Sequence, residues 1–395
     1  MTAQEYQAPE SVARLQQRAL LGGGVGLLLS LLALFRSPDQ FFQSYLIAFL
    51  FVLGLSLGSM ALLMLQHLTS GHWGIVMRRP LEAATRTLWL VALFFVPIIF
   101  GMKHLYGAWL NAPAGGEGAL SNFQKTYLTP QNFVIRAVIY FAVWLLLVFA
   151  LNRWSRQQDN DRANRALRRN FKLLSGPGII LYVFGIGFAA IDWAMSLSPG
   201  WFSTIYGFIF VVGEVISSLC LIIAILVLLA KTPPLSGLIQ PRHFHDIGKL
   251  LLAFVMLWAY FSFSQLLIIW SGNQPEEISF YRSRLYGGFG VVAVLVLLFH
   301  FFTPFFLLLS ANLKRSPGKL TSVAFLLVVM RLVDLFWTTR PAFPSSVAYP
   351  TWVDVAVSLA LIGFWLAVFA WNLKGLPLLP LGDPKLEEAI EVHEF

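Results

Sequence analysis

A single cysteine, Cys220, is all the thiol chemistry that 395 residues offer. No disulfide can close within the chain, and it has neither a Cys-x-x-Cys pair nor a Cys-x-x-Cys-His haem-attachment run. Iron–sulfur clusters need about four cysteine-type ligands, so none is held by this chain alone. Charge is scarce as well: 12% of residues are charged and 57% are hydrophobic. With a mean hydropathy of +0.71, an ordinary soluble domain is excluded. Deep histidine is equally thin. Only His300 lies deep in an apolar stretch, which argues against a haem held by paired histidines. The run His243-x-His245-Asp246 sits in a basic, proline-rich segment and reads as a solvated turn rather than a metal site.

What the chain does have is long apolar runs. A membrane span needs roughly 20 such residues, and ten runs qualify: about 19–35, 41–66, 83–105, 132–152, 177–197, 203–230, 249–271, 286–312, 320–338 and 351–372. The expected fold class is an all-α integral membrane protein of about ten transmembrane helices. The first run is weakened by Gly22-Gly23-Gly24 but has no convincing cleavage site, so it reads as an uncleaved span. This divides the chain into a cytoplasmic N-terminal segment (1–18), a polytopic domain (19–372) and an acidic cytoplasmic tail (373–395) bearing Glu387, Glu388, Glu391 and Glu394. With both termini cytoplasmic, that side carries 20 basic residues and the opposite side six, the imbalance of a positive-inside protein. The net charge of +9 is then mostly topology and lipid-headgroup contact rather than nucleic-acid binding. The outer loop of about 106–130 reads as irregular, with Trp109, Phe123 and Tyr127 marking interface or partner contact. The inner stretch of about 153–175 reads as a basic surface helix, and Lys231–Lys249, with Pro233, Pro234 and Pro241, as a loop. A tight hairpin from Asp192 to Gly207 carries Trp193 and Trp201, which fit an interfacial belt.

Two ionisable residues sit near the middle of apolar runs, Glu214 and His300. A charge there costs roughly 2.5–3.5 kcal/mol even on lenient insertion scales, so both call for a partner, a water cavity or a proton path. Nearer the outer surface come Arg136, Asp192, Arg331, Asp334 and Asp354. Nearer the inner surface come His67, His72, Glu82 and Arg86. Hydroxyls extend the series: Ser217 and Ser218 lie one turn inward of Glu214, and Ser56 and Ser59 lie within the second span. Such a ladder suits a proton relay, since burial pushes carboxylates toward neutrality and lets them load and release protons. It also suits plain pairing. Arg331 and Asp334 are spaced i, i+3, and Arg136 has Asp354 or Asp192 as a counter-ion across helices. Glu214 has no basic residue within a turn and favours the proton path. A quinone slot needs only apolar walls and one or two polar groups, which aromatic-rich bundles commonly offer.

Three stretches resemble one family. They are Gly71-His72-Trp73-Gly74-Ile75-Val76-Met77-Arg78-Arg79-Pro80-Leu81-Glu82, the hairpin Asp192 to Gly207, and Leu257 to Gln265 with Trp270-Ser271-Gly272-Asn273-Gln274-Pro275-Glu276-Glu277. They are similar to the NrfD/PsrC-like membrane subunits of alternative complex III, and more similar to its ActF-like branch than to its ActC-like one. The resemblance implies two four-helix bundles, roughly spans 2–5 and 6–9, flanked by the first and last helices. It implies a non-redox subunit of a quinol-oxidising respiratory complex in a bacterial inner membrane, contributing a transmembrane proton path. That path would run over Asp192, Glu214, His300, Arg331 and Asp334, with His67, Glu82 and Arg86 toward the inner face. No cofactor is expected on this chain. Haem c and iron–sulfur clusters are expected in partner subunits, and menaquinol or ubiquinol in the complex. The implied partners are an ActC-like membrane subunit, an iron–sulfur subunit, multihaem and monohaem cytochrome c subunits, small membrane subunits and lipids. Two other readings stand beside it: a quinone- or quinol-binding subunit of the same complex, and an independent secondary transporter.

Overall fold

The structure is a computed structural model that describes residues 6–71, 73–113, 120–161, 165–343, 346–383 and 386. Glu387, Glu388, Glu391, Glu394 and His72 lie outside them. Among the described residues, ten helices are long and apolar enough to cross a membrane: α1 (Glu10–Arg36), α2 (Pro38–Thr69), α3 (Trp73–Phe100), α4 (Pro130–Asn160), α5 (Leu167–Leu197), α6 (Tyr206–Ala230), α7 (Pro241–Gly272), α8 (Gly288–Leu309), α9 (Pro317–Ala342) and α10 (Trp352–Lys374). No strand occurs among the described residues. The chain is an all-α, multi-pass membrane protein. Four of the helices open on proline, at Pro38, Pro130, Pro241 and Pro317. There the missing N–H is no loss and the fixed φ suits a first turn. Ten crossings return the chain to its starting side, so one face holds both ends of the domain (the terminal face) and the other is the far face.

Helices α2–α5 pack as one bundle and α6–α9 as a second, with α1 and α10 outside them. The bundles meet where α2 runs along α6, and α10 covers α2 from outside. Helix α2 is apolar on every side, as a helix with no exposed face must be, and its most apolar 18-residue window is entirely buried. Helix α1 touches α10 through small residues. A Cβ on Gly26 would lie 2.8 Å from the Ala356 carbonyl, and one on Gly363 2.6 Å from the Gly23 Cα. Without a hydrophobic drive between helices in lipid, such close backbone approach is what holds a peripheral span. The outer side of α1 stays exposed at Leu21, Leu28 and Phe35.

Local expectations change at several points, among them Lys231–Lys249, a loop only as far as Gln240, after which α7 begins and buries His243 in its first turn. Residues 153–161 and 167–175 form the ends of α4 and α5 rather than a surface helix, because both helices run past the apolar runs into their polar flanks. Trp193 and Trp201 are buried rather than interfacial. Trp193 stacks among Phe49, Phe95 and Phe141, and Trp201 lies 3.9 Å from the Phe280 ring. The hairpin between them dips inward: a Cβ on Gly207 would lie 2.6 Å from the Gly187 Cα, so α6 starts well below the end of α5. Finally, the Asn-Gln-Pro-Glu-Glu run opens a short helix, Pro275–Leu285, with proline in its first turn and Glu276 and Glu277 beside it, a strong start signal. Its last turn buries Arg284 against neutral partners, the Phe280 ring at 3.6 Å and the carbonyls of Thr338 and Phe280. Burial pulls that guanidinium down to about 10.

Candidate functional site

The polar residues fall into three layers. At the terminal face, Glu82 accepts from Arg78 Nε at 3.0 Å, Arg79 Nη1 at 2.7 Å and Ser155 at 2.5 Å. Arg79 also pairs with Asp159, and Arg78 with Asp383 at 2.9 Å. Arg86 stands one turn deeper and donates to Asn152 at 2.7 Å. His67 stacks on Phe171 at 4.2 Å with Nε2 unpartnered. It borders a small cavity of about 30 Å³, lined also by Gln66, Arg78 and Asp383.

Toward the far face, Asp192 is bound just as fully. It accepts from Arg136 Nε and Nη2 at 2.8 and 2.9 Å and from the Tyr140 hydroxyl at 2.8 Å. Asp354 pairs with Arg340 instead of Arg136, at 2.9 Å, and accepts from Ser44 at 2.7 Å.

The third layer lies at mid-membrane, and helix arithmetic places it. Tyr182 is the central residue of the 31-residue α5, and Gly54 lies at the middle of the 32-residue α2. Tyr182 donates to Glu214 Oε2 at 2.9 Å. A Cβ on Gly54 would sit 3.1 Å from the Glu214 Cγ, and one on Gly58 would overlap the Glu214 carbonyl oxygen. The stretch Gly54-Leu55-Ser56-Leu57-Gly58 is therefore the seat that lets α2 and α6 cross at the glutamate, the Gly-x-x-x-Gly device of membrane helices. From α9, Arg331 reaches over Gly213, where any Cβ would overlap its guanidinium, and pairs with Asp334. Its charge bears on both Glu214 and His300.

His300 comes from the middle of α8, inside a six-residue π-helical segment, Leu297–Phe302. Single π turns are rare and recur at functional sites. The ring is fully buried, edge-on to Trp258 at 4.3 Å, and neither nitrogen has a hydrogen-bond partner. The Trp258 indole N–H faces the Asp334 carboxylate.

Of the eight residues singled out in the sequence, Glu214, His300, Arg331 and Asp334 converge. Asp192 stands apart by ten residues of α5, about 15 Å at 1.5 Å per residue. His67, Glu82 and Arg86 form the terminal-face group. Between that group and Glu214 run hydroxyls: Ser218 bonds Ser59 at 2.6 Å, and Ser56 bonds Thr87 at 2.7 Å and accepts from Trp365. Sequence reasoning passed over Tyr182, Trp258, Gly54, Gly58 and Gly213. The glycine spacing at 54 and 58 was a visible signal for the helix crossing; nothing local marks the two aromatics. Gly58→Val is expected to destabilise the protein by about 3 kcal/mol, the upper range for overpacking, because the new side chain meets backbone. Thermal unfolding in detergent checks it, and a shift within error would remove the crossing from the account.

Among the described residues, Glu82, Asp192 and Glu214 differ in one respect, while the fourth buried carboxylate, Asp334, pairs with Arg331. Glu82 and Asp192 each face two or more charged or ionic hydrogen bonds. Glu214 has one neutral hydroxyl, and its cation acts from beyond hydrogen-bonding distance. No group of three or more histidine, cysteine or acidic residues able to hold a metal occurs among the described residues. In comparisons with known proteins, no family model matches this chain and no curated protein matches it.

Proposed function

We propose that this protein conducts protons through the membrane, with Glu214 as the central loading site, as a non-redox subunit of a quinol-oxidising respiratory complex. The observation that carries the proton reading is the under-compensated Glu214 carboxylate at the midpoint of two helices, between an arginine already committed to Asp334 and a tyrosine hydroxyl. A carboxylate so placed has little holding it in one protonation state, unlike Glu82 and Asp192. His300, with both nitrogens open, is the natural second station. The saturated ion pairs above and below act as dielectric walls, and protons reach the centre through the hydroxyl series.

The complex itself, its haem c and iron–sulfur partner subunits, and a bacterial inner-membrane setting with cytoplasmic termini rest on the resemblance at Gly71–Glu82, Asp192–Gly207 and Leu257–Glu277, and on the basic bias of the terminal-face loops. Pulldown of the chain in mild detergent, read by mass spectrometry and haem absorbance, tests this. Co-purifying multihaem and iron–sulfur subunits are expected; a lone, colourless polypeptide would contradict it and favour an independent transporter.

A quinol-binding role has its own observation. A cavity of about 790 Å³ opens between α7 and the helix Pro275–Leu285, walled by Trp270, Tyr281 and Tyr286. It is apolar with a few polar groups, as a ring-carbonyl ligand needs. A photoreactive quinone that labels Trp270 or Tyr286 would establish this reading, and labelling confined to a partner subunit would remove it.

A further inference from the structure

A groove of about 480 Å³ opens between α3 and α4 at the terminal face, and its two ends differ in chemistry. Along α4 its wall runs from Leu145 through Phe149 to Arg153 and Arg156, one helix face about 16 Å long at 1.5 Å per residue. Helix α3 adds Arg86 and, one turn deeper, Trp89. The deep end is apolar and open to the side, with Phe149 and Trp89 exposed. The shallow end holds three guanidinium groups and no carboxylate lines it. The nearest acids are committed elsewhere, Glu82 to Arg78 and Arg79, and Asp159 to Arg79. Arg86 is fixed by its bond to Asn152, leaving Nη2 buried with no partner. Glu82 and Asp159 attract it from a distance, while Arg156 and Arg79 bear on it as like charges. Three like charges gathered where no carboxylate lines the groove favour an anion that joins them.

We propose that this groove binds an anionic phospholipid, its phosphate against Arg86, Arg153 and Arg156 and its acyl chains along Trp89, Leu145 and Phe149. A soluble anion has no use for the apolar end. A zwitterionic lipid brings a fourth cation into a seat that already has three. Basic pockets between transmembrane helices suit this headgroup chemistry. The volume also lies within the range of ordinary ligand sites, about 300–1,000 Å³. The inference stands apart from the proton reading and holds whether or not Glu214 conducts.

The test is native mass spectrometry of the full chain in mild detergent, exchanged with phosphatidylglycerol, phosphatidylcholine or inorganic phosphate. Phosphatidylglycerol should be retained selectively and survive a large excess of inorganic phosphate. Each of R153Q and R156Q should weaken retention roughly fivefold, the factor expected per basic residue at a lipid surface. R153K/R156K, which keeps the charge, should stay within about twofold of wild type. Both side chains are exposed, so these changes leave the packing intact. Equal retention of phosphatidylcholine, displacement by inorganic phosphate, or unchanged retention in R153Q/R156Q would each overturn the proposal.

Discussion

Arg331→Met is expected to destabilise the protein by about 3–5 kcal/mol, the range for removing one partner of a buried ion pair. The side chain is 4% exposed, and its guanidinium faces Asp334 directly and Glu214 at longer range. Methionine fills much of the volume but strands both acids in a medium that disfavours their charge. Cys220 provides the readout. It lies on α6, buried, and is the chain's one thiol, so a thiol-reactive dye in detergent reports unfolding without an added label. The double variant R331M/D334N should recover most of the loss, since the stranded charge goes with its partner. If the single variant melts like wild type, the arginine is not compensating buried charge.

Glu214→Gln is expected to do the reverse, leaving the fold in place and removing the function. The amide keeps an acceptor for the Tyr182 hydroxyl and fits the space beside Gly54 and Gly58, so stability should move by no more than about 1 kcal/mol, typical of a lost but tolerable polar contact. An amide cannot carry a proton at working pH. On the proposed function, proton flux through the protein in proteoliposomes should then fall about a hundredfold, the low end of what a positioned acid–base group contributes. Flux that persists with intact protein would move the path away from Glu214. Loss of flux together with loss of fold would make the glutamate a structural group.

The ten spans were legible because hydropathy averages over about 20 residues and asks nothing of their neighbours. Two ion pairs were legible too: Arg331 with Asp334 from their i, i+3 spacing, and Arg136 with Asp192 as one of two options. The rest needed the third dimension. Arg78 and Arg79 count as loop charges in the sequence, yet both are buried against Asp383 and Asp159, 305 and 80 positions away. Arg340 likewise leaves the outer loop to meet Asp354 and Gln43. The partner of Glu214 is Tyr182, 32 positions earlier on another helix, and tyrosine in an apolar run looks like packing. The π segment around His300 likewise has no sequence signal that we can name, because an extra residue per turn leaves the composition of the helix unchanged.

Infrared difference spectra of the full-length protein across pH steps, wild type against E214Q, test the central claim most directly. The account predicts a protonated-carboxyl C=O band that appears and disappears with pH in the wild type and is missing in E214Q. The same band in both proteins, or a glutamate that never changes its protonation state, would contradict it.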